Sequence, residues 1–549
     1  MVHTLRPRQS RPTLLSRIAA DLGAPAPVRE VTVTGVSLDS RAVQAGDLYA
    51  GLPGARTHGA RFAAAALAAG AVAILTDATG AELVEESGTD LPVLVHPDPR
   101  SVLGAAAALI HATVDHGLPV IGITGTNGKT TTAYLIQSAL TAMGEKVGLI
   151  GTVETRIGDE RVPSVRTTPE APDLHALLAT MAERGMDCCV MEVSSHALSQ
   201  HRVDGVVYDL ALFTNLSQDH LDFHHDMEHY FLAKAELFTP ARARRGLVCI
   251  DDEWGQRLAG SPGIPMTTLA TRPGVAADWT VRVDEDDSAA FVLSDGTDEL
   301  HLRSALPGDF NVANTAMAAV SLILMGHAID AVAAAVLTDP HVPGRMEQVR
   351  IPEDNGRLPR VIVDYAHTPE AIHAALDALR PTTDGRLVCL TGAGGDRDRD
   401  KRSAMGAAAA AADVVVVTDD NPRGEDPEVI RSAILRGAID ERNRRQPDLV
   451  GFVGIIEAAD RHEAIRIAIA AGCGLGPEST IDGVGPAATV AILGKGHEKG
   501  QEVAGEVLPF DDRTECEEAM RSVLARLDAG ERPGAPVIVD PSSSEGSTP

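Results

Sequence analysis

The stretch VIGITGTNGKTTTAYLIQSAL, residues 120–140, decides how the middle of the chain folds. Val120, Ile121 and Ile123 form a short apolar, β-branched run, the pattern of a buried parallel strand. From Thr131 onward Leu135, Ala139 and Met143 recur at helical spacing, and Gly144 marks a stop. Residues 125–130 therefore sit at a strand-to-helix turn, where free N–H groups and the helix dipole favour an anion. Lys129 adds a mobile positive charge, and the Thr130 hydroxyl suits Mg2+. The usual phosphate-loop spacing, G-x-x-x-x-G-K-[ST], is met at Gly128, Lys129 and Thr130. Its first glycine would fall at Ile123, and the chain has Gly122 and Gly125 instead. An ordinary glycine-rich turn is the competing reading, and the ordered string G-K-T-T-T weighs against it.

Working outward, the 549 residues suggest about three to four domains. With 44% hydrophobic and 23% charged residues the composition is that of a globular protein. No apolar run reaches the ~18 residues of a membrane span. The N-terminus has arginines but no sustained apolar core, so a signal peptide is not expected. The cysteines are scattered without a C-x-x-C pair, which fits a reducing cytoplasm. A formal net charge of −29 argues against nucleic acid as a partner, and 3% aromatics offer no stacking platform for bases. Anionic small molecules stay open, since they need only a local basic pocket. The expectation is a cytoplasmic monomer acting on small molecules, with neither nucleic acid nor membrane as partner.

The chain reads as successive α/β units. VTVTGVSLDS, GDLYAGL and AVAILTD, with a helix candidate at ARFAAAALAAG, make a first unit, residues 1–115. A central unit, 116–342, starts with the strand at Val120 and continues through CCVMEVSSHAL and DLALFTNLS. These apolar runs end in polar residues, as at the C-terminal edge of a parallel sheet where ligands collect. Proline and glycine cluster in HVPGRMEQVRIPEDNGRLPR and suggest a boundary. A third unit, 343–530, holds VIVDYAHTP, LVCLTGAGGDRD, ADVVVVTDDNPRGEDP and VAILGKGHE, each ending in a polar tip. Residues 531–549, ending PSSSEGSTP, read as a disordered tail.

Several constellations could carry chemistry. Glu192 ends the run CCVME, and His220 lies among six acidic or histidine residues between Asp219 and Asp226. With the Thr130 hydroxyl they are reasonable ligands for a hard divalent ion beside phosphates. His220 alone reads as a solvated surface residue, and Lys234 in YFLAKAELF reads as a solvated helix lysine. In the third unit Arg397, Asp398, Arg399, Lys401 and Arg402 crowd one loop; Asn421 and Arg423 follow another strand; Lys495, His497 and Glu498 follow a third. Arginine forks match carboxylates and phosphates. One shared pocket and a solvated charged rim are equally compatible with that spacing.

The motifs SLDSR, TGTNGKTTT, RTTP, MEVSSHAL, FTNLSQDHLDFHHDMEHY, GDFNVANTAMA, PGRME, VDYAHTPEA, GAGGDRDRDKR, DDNPRGEDP and GKGHE resemble, in their order, those of the Mur ligases of bacterial cell-wall synthesis. The resemblance covers roughly residues 30–525, is closest to the members that add the third amino acid, and identifies T-G-T-N-G-K-T as that family's phosphate loop. It implies a three-domain α/β architecture, with a central P-loop ATPase-like parallel sheet and a C-terminal Rossmann-like domain. It implies an ATP-dependent amide-forming ligase using Mg2+, which joins diaminopimelate to a UDP-sugar peptide through an acyl phosphate. Carried over by position, Gly125, Thr126, Asn127, Gly128, Lys129, Thr130 and Thr131, with Asn311 and Arg345, would bind ATP. Lys129 and Lys234 would be catalytic. Thr130, Glu192, His220 and a carbamylated Lys234 would hold Mg2+. Leu38, Ser40, Ala55, Arg56, Thr57, Thr167, Thr168, Ser194, Gln200 and Arg202 would hold the UDP substrate. Arg397, Asp420, Asn421, Pro422, Arg423, Gly494 and Glu498 would hold diaminopimelate. The chain departs from enterobacterial relatives at Arg166, where they have Asn, and in the tripeptide of ARTHG. The lysine-adding ligases and the folylpolyglutamate synthetases are alternatives in the same fold; DDNPR argues against the first and SLDSR against the second. A P-loop ATPase switch is the alternative of another class.

Overall fold

The computed structural model describes residues 5–9, 11–114, 117–164, 166–261, 263–396, 398–445, 454–475 and 488–529. They form two compact units. The first takes in the chain up to 218 with 224–305 and 313–340; the second takes in 219–223, 306–312 and the chain from 341.

The first unit holds two larger sheets. Gly35–Ser37, Asp47–Ala50, Ala73–Thr76 and Val93–Val95 lie side by side in that order, all parallel. Leu15 and Ile18 from the helix Leu15–Asp21, and Leu103 and Ile110 from Pro99–His111, pack on Leu48, Leu75 and Leu94 of this sheet. The run VTVTGVSLDS is not one strand. Thr32–Val33 turns aside to pair antiparallel with Thr13–Leu14, and only Gly35–Ser37 enters the parallel sheet.

The larger sheet has eleven strands, with Val120–Thr124 between Cys188–Glu192 and Leu210–Phe213. Both neighbours run parallel to it. All five residues of Val120–Thr124 are buried, which is why the run reads as continuously apolar rather than alternating. The chain leaves Val120–Thr124 to one side for Cys188–Glu192 and later returns to the other side for Leu210–Phe213. That is a topological switch point, and the loops after these three strands open at one edge. Trp279–Val283, Ala290–Ser294 and Glu299–Arg303 extend the sheet as an antiparallel meander. Their burial alternates residue by residue, as in a sheet with one face in water.

The second unit is built on a six-stranded sheet in the order Glu347–Val349, Arg360–Asp364, Thr489–Leu493, Leu387–Thr391, Val414–Val417, Ile455–Glu457. Only Glu347–Val349 is antiparallel to its neighbour. Ile372, Leu376, Met405 and Ile434 cover one face, and Ile465, Ile469, Met520 and Val523 the other. Helices on both faces of a parallel sheet make it doubly wound, the Rossmann-like arrangement. Among the described residues no helix is long and apolar enough to cross a membrane. Residues 531–549 lie outside the described residues.

Candidate active site

The loop 125–128 sits where the switch point places it, and its glycines are required by contact. Gly125 has φ +144°, and a Cβ there would lie 1.9 Å from Thr214 Oγ1. Gly128 has φ +86°, and a Cβ would lie 2.4 Å from Asn314 Oδ1. Either contact is far inside van der Waals distance, so no side chain fits. The loop after Leu210–Phe213 braces this turn. Asn215 O accepts from Thr126 N–H (3.0 Å), Asn215 Oδ1 accepts from Asn127 N–H (2.9 Å), and Thr214 Oγ1 donates to Asn127 O (2.6 Å). Asp252 in turn anchors that brace, accepting from Leu216 N–H at 2.9 Å while capping the helix Glu253–Ala259.

Two ammonium groups meet at this turn. Lys129 Nζ donates to Gly125 O (2.9 Å) and Thr126 O (2.8 Å). Lys234 Nζ donates to the same Gly125 O at 2.7 Å and lies 4.5 Å from the Tyr230 ring centre. At 1% exposure Lys234 is not the solvated helix lysine its sequence context suggests. The helix Met227–Ala235 presents Tyr230 and Lys234 one turn apart, on one face. Tyr230 Oη lies 3.2 Å from Thr126 Oγ1.

Glu192, at 1% exposure, ends its strand beside the loop. Its carboxylate accepts from Thr130 Oγ1 (2.9 Å), Thr152 N–H (2.8 Å) and Thr152 Oγ1 (3.0 Å). A hydroxyl and a carboxylate in contact beside a phosphate loop are hard oxygen donors of the kind Mg2+ takes, with the rest of its shell from water and phosphate. Among the described residues no three His, Cys, Asp or Glu side chains gather as a metal cluster. The run from Asp219 to Asp226 is divided. His224 is buried with Nε2 2.9 Å from Ser195 Oγ, and Asp226 caps Met227–Ala235, accepting from His229 N–H at 2.8 Å. His220 belongs to the second unit, as do Asn311 and Arg345.

A cavity of about 840 Å³ in the first unit is lined by Leu38, Ser40, Tyr49, Arg166, Glu170 and Asp173, among others. Thr168 and Ser194 stand nearby in a fixed relation: Thr168 Oγ1 donates to Glu192 O (2.9 Å) and accepts from Ser194 N–H (3.0 Å). Thr167 Oγ1 lies 3.1 Å from Thr152 Oγ1, and Arg202 is hydrogen-bonded to Gln200. Ala55, Arg56 and Thr57 form an exposed loop and are not in the cavity lining. The sequence reading passed over Glu170, on which three arginines converge. Arg166 and Arg100 donate to it at 3.0 and 3.2 Å, and Arg202 Nε lies 3.1 Å away as an ion pair without hydrogen-bond geometry. The signal available was Pro169–Glu170 directly after the RTT triplet.

In the second unit the sheet brings three predicted loops to one end, where part of their polar side chains is buried and part exposed. Asp420 and Asn421 are buried, and Lys495 is fully buried. Asn421 Nδ2 donates to Glu498 Oε2 (2.9 Å). Arg423, at φ +53°, donates from Nη1 to Gly395 O (2.7 Å) and from Nε to Glu502 Oε2 (3.1 Å). Gly494, at φ +118°, leaves room for Asp420, whose Oδ2 would be 2.6 Å from a Cβ. Pro422 is buried between them in sequence. Arg397 lies outside the described residues. Arg399 and Arg402 instead pair with Glu425, whose carboxyl is held at about 2, chiefly by the Arg402 hydrogen bonds.

Elsewhere in this unit Asn311 Nδ2 donates to Pro307 O at 2.7 Å, and Arg345 stacks 4.5 Å from the Tyr365 ring centre. Burial works to raise Asp219, but the facing His220, His367 and Lys401 outweigh it and hold the carboxyl low. Burial raises Asp364 against the pull of Arg345. Burial, reinforced by Arg345, depresses His497 to about 3.

A phosphate loop at the switch point of a parallel sheet, with a second doubly wound sheet in the same chain, defines an α/β nucleotide-binding enzyme. Three family models then match in succession: "Mur ligase family, catalytic domain" over residues 32–111, "Mur ligase middle domain" over 123–322, and "Mur ligase, glutamate ligase domain" over 344–476. The chain belongs to the Mur ligase family. It is 48% identical over 520 residues to the UDP-N-acetylmuramoyl-L-alanyl-D-glutamate–2,6-diaminopimelate ligase of Streptomyces avermitilis, covering 94% of this chain and 98% of that one. It is 45% identical over 500 residues to the UDP-N-acetylmuramyl-tripeptide synthetase of Leifsonia xyli subsp. xyli, covering 89% and 92%. A solved UDP-N-acetylmuramoyl-L-alanyl-D-glutamate–2,6-diaminopimelate ligase superposes with a TM-score of 0.62 at 31% identity, over 93% of this chain and 99% of that one.

Proposed function

We propose that the chain is the ATP-dependent ligase that adds meso-2,6-diaminopimelate to UDP-N-acetylmuramoyl-L-alanyl-D-glutamate, a step of peptidoglycan precursor synthesis in the cytoplasm. The observation that carries this reading is the conjunction in one chain of the Lys129 phosphate loop with the buried Asp420 and Asn421 and the half-buried Glu498 beside Arg423. The first suits a nucleotide. The second suits an amino acid with a charged far end.

A carboxylate and an amine do not condense unaided in water. In this reading a side-chain carboxylate oxygen of the D-glutamate attacks the γ-phosphorus of ATP. The bond from that phosphorus to the β–γ bridging oxygen breaks, and ADP leaves. The diaminopimelate amine, as the free base, then attacks the acyl carbon. The tetrahedral centre collapses as the C–O bond to phosphate breaks, and the nitrogen gives up its proton. Lys129 neutralises charge on the transferring group. Thr130 and Glu192 would hold Mg2+, with Lys234 joining as a carbamate, formed when CO2 adds to its neutral amine and a proton is lost. The ion would supply charge neutralisation on the phosphates. The cavity at Leu38 and Ser40 would take the UDP-sugar peptide, with Arg202 standing behind its lining residue Glu170. Arg423 would face the far carboxylate of diaminopimelate as a fork.

The test is to incubate the enzyme with ATP, the UDP-sugar dipeptide and either meso-diaminopimelate or L-lysine, and to weigh the products. The expected product carries diaminopimelate alone. ATP turnover that needs neither the dipeptide nor an amino acid would overturn the ligase reading. Equal efficiency with lysine would overturn the substrate.

A further inference from the structure

The wall around Asn421 contains a cation for which the reaction above has no use. Lys495 has no exposed surface. It follows directly on Gly494, after the strand Thr489–Leu493, and its ammonium points into the wall rather than out to solvent. Nζ donates to Asn421 Oδ1 at 3.0 Å and to Glu498 Oε2 at 3.1 Å, and it stands 4.0 Å from Asp420 Oδ1. A lysine is almost never fully buried unless it is paired. Here each of its neighbours is a residue assigned above to the amino-acid pocket.

The geometry points to Lys495 as the positioning residue that sets the polarity of this pocket, an inference that rests on the proposed amino-acid site. Two consequences of its placement carry the inference. The first is the amide of Asn421. Its Oδ1 accepts from Lys495 Nζ and also from Glu502 N–H, at 2.9 Å. Both partners can only donate, so the amide cannot flip. Its Nδ2 is thereby committed to Glu498 Oε2. The second is the charge count. Asp420 and Glu498 carry two negative charges beside one ammonium, which leaves a single excess negative charge. That excess suits one substrate ammonium at Glu498. Without Lys495, two carboxylates would converge on an amide whose oxygen keeps the Glu502 N–H but has lost its charged donor, with one charge too many for a single ammonium.

Asp420 has further support from behind. Arg461, also without exposed surface, pairs with Asp512 at 2.7 and 2.8 Å, donates to Leu493 O at 3.1 Å, and lies 4.0 Å from Asp420 Oδ2. This guanidinium pairs with Asp512 through Nε and Nη2 and turns Nη1 toward Asp420. Lys495 is the cationic donor that holds the amide oxygen, beside the Glu502 N–H.

The variants Lys495→Met and Lys495→Gln test this. Met removes both the charge and the donor; Gln restores a donor toward Asn421 Oδ1 without the charge. Steady-state kinetics with each of the three substrates varied in turn should show KM for meso-diaminopimelate raised about 10- to 100-fold in Lys495→Met, the scale set by losing hydrogen bonds from a charged donor. KM for ATP and for the UDP-sugar dipeptide should stay within about threefold. Lys495→Gln should recover part of the loss. Thermal melting of both variants establishes that they fold. A folded Lys495→Met with an unchanged diaminopimelate KM overturns the inference, as does an equal rise in all three KM values, which is the signature of general damage. If Lys495→Met fails to fold, Lys495→Gln carries the test, with the same split expected and the same two results against it. A native enzyme that prefers lysine to diaminopimelate sinks the substrate assignment instead, and that result is seen before any variant is made.

Discussion

Replacing Lys129 with methionine keeps an unbranched stem and removes the ammonium. The contacts it loses are the bonds to Gly125 O and Thr126 O. Gly125 O keeps the Lys234 ammonium at 2.7 Å, so only Thr126 O loses a charged donor outright. Lys129 is itself partly exposed, so water can replace part of what is lost. The expected loss of stability is about 1–2 kcal/mol, at the low end for a hydrogen bond to a charged group. Against a typical total of about 5–15 kcal/mol the protein stays folded at 25 °C. Turnover is different, because a preorganised charge aimed at the transferring phosphoryl group supplies roughly 10²–10³ in rate, or about 2.7–4 kcal/mol. Activity should therefore collapse while melting moves by only a few degrees.

The assay is ADP release at saturating substrates, run beside a melting curve. Turnover within threefold of native, in a protein that melts normally, would refute the phosphate-loop role of Lys129. The shared acceptor allows a second check on the geometry. Lys129→Met and Lys234→Met should be non-additive in stability, with a coupling of about 0.5–3 kcal/mol, as for residues in contact with one group. Strict additivity would mean that the two ammonium groups do not meet at Gly125 O.

Lys234→Ala should lose most activity and regain part of it with added short carboxylates, and enzyme freed of bicarbonate should be slower; a ¹³C spectrum of active enzyme with no carbamate signal would count against the modification. Arg423→Ala should lose most diaminopimelate activity while any trace of lysine activity survives, because a site built around a polar group rejects an analogue lacking it by roughly 10⁴-fold; an unchanged ratio of kcat/KM for the two amino acids would refute the fork. His497, held at about 3 by burial against an ordinary value near 6.5, leaves the folded state with fewer protons than the unfolded one at mildly acid pH. Its contribution is therefore present above about pH 6.5 and lost as pH falls toward 3, by about 2 kcal/mol between pH 7 and pH 5. Urea unfolding of native protein and His497→Gln at those two pH values checks this, and equal pH sensitivity of the two would refute it.

The parts of the fold carried by local pattern were legible. Val120–Thr124 is apolar along its whole length because it is covered on both faces, and its tip had to be a turn because glycine and threonine follow. The four runs of the last unit were legible for the same reason, and their parallel pairing brings Asn421, Lys495 and Glu498 together at one end. What local pattern cannot show is which polar residue is buried by something distant in sequence. Lys234 reads as solvent-facing until Gly125 O, more than a hundred residues earlier, is seen accepting a hydrogen bond from it. Lys495 reads as one charge in a charged loop until Asn421 and Glu498 close on it. The meander Trp279–Arg303 escaped for the opposite reason. Its alternation is clear in WTVRV and ELHLR, but a search for parallel, fully buried strands passes over it.

The placement of these lysines also bears on how a chain of net charge −29 handles charged ligands. Its overall field opposes anionic ligands at long range, but charges more than about 8–10 Å apart are largely screened at physiological salt. Recognition is left to short-range groups, and their placement matters more than their number. In the first unit two ammonium groups are gathered on one carbonyl at the phosphate turn. In the second, one ammonium stands beside two carboxylates and donates to the oxygen of a buried amide. A surface lysine moved to either place would arrive with its hydration shell and many rotamers. The same lysine built into the wall has already lost both on folding, so its charge acts on the neighbouring groups in an environment where water screens it least.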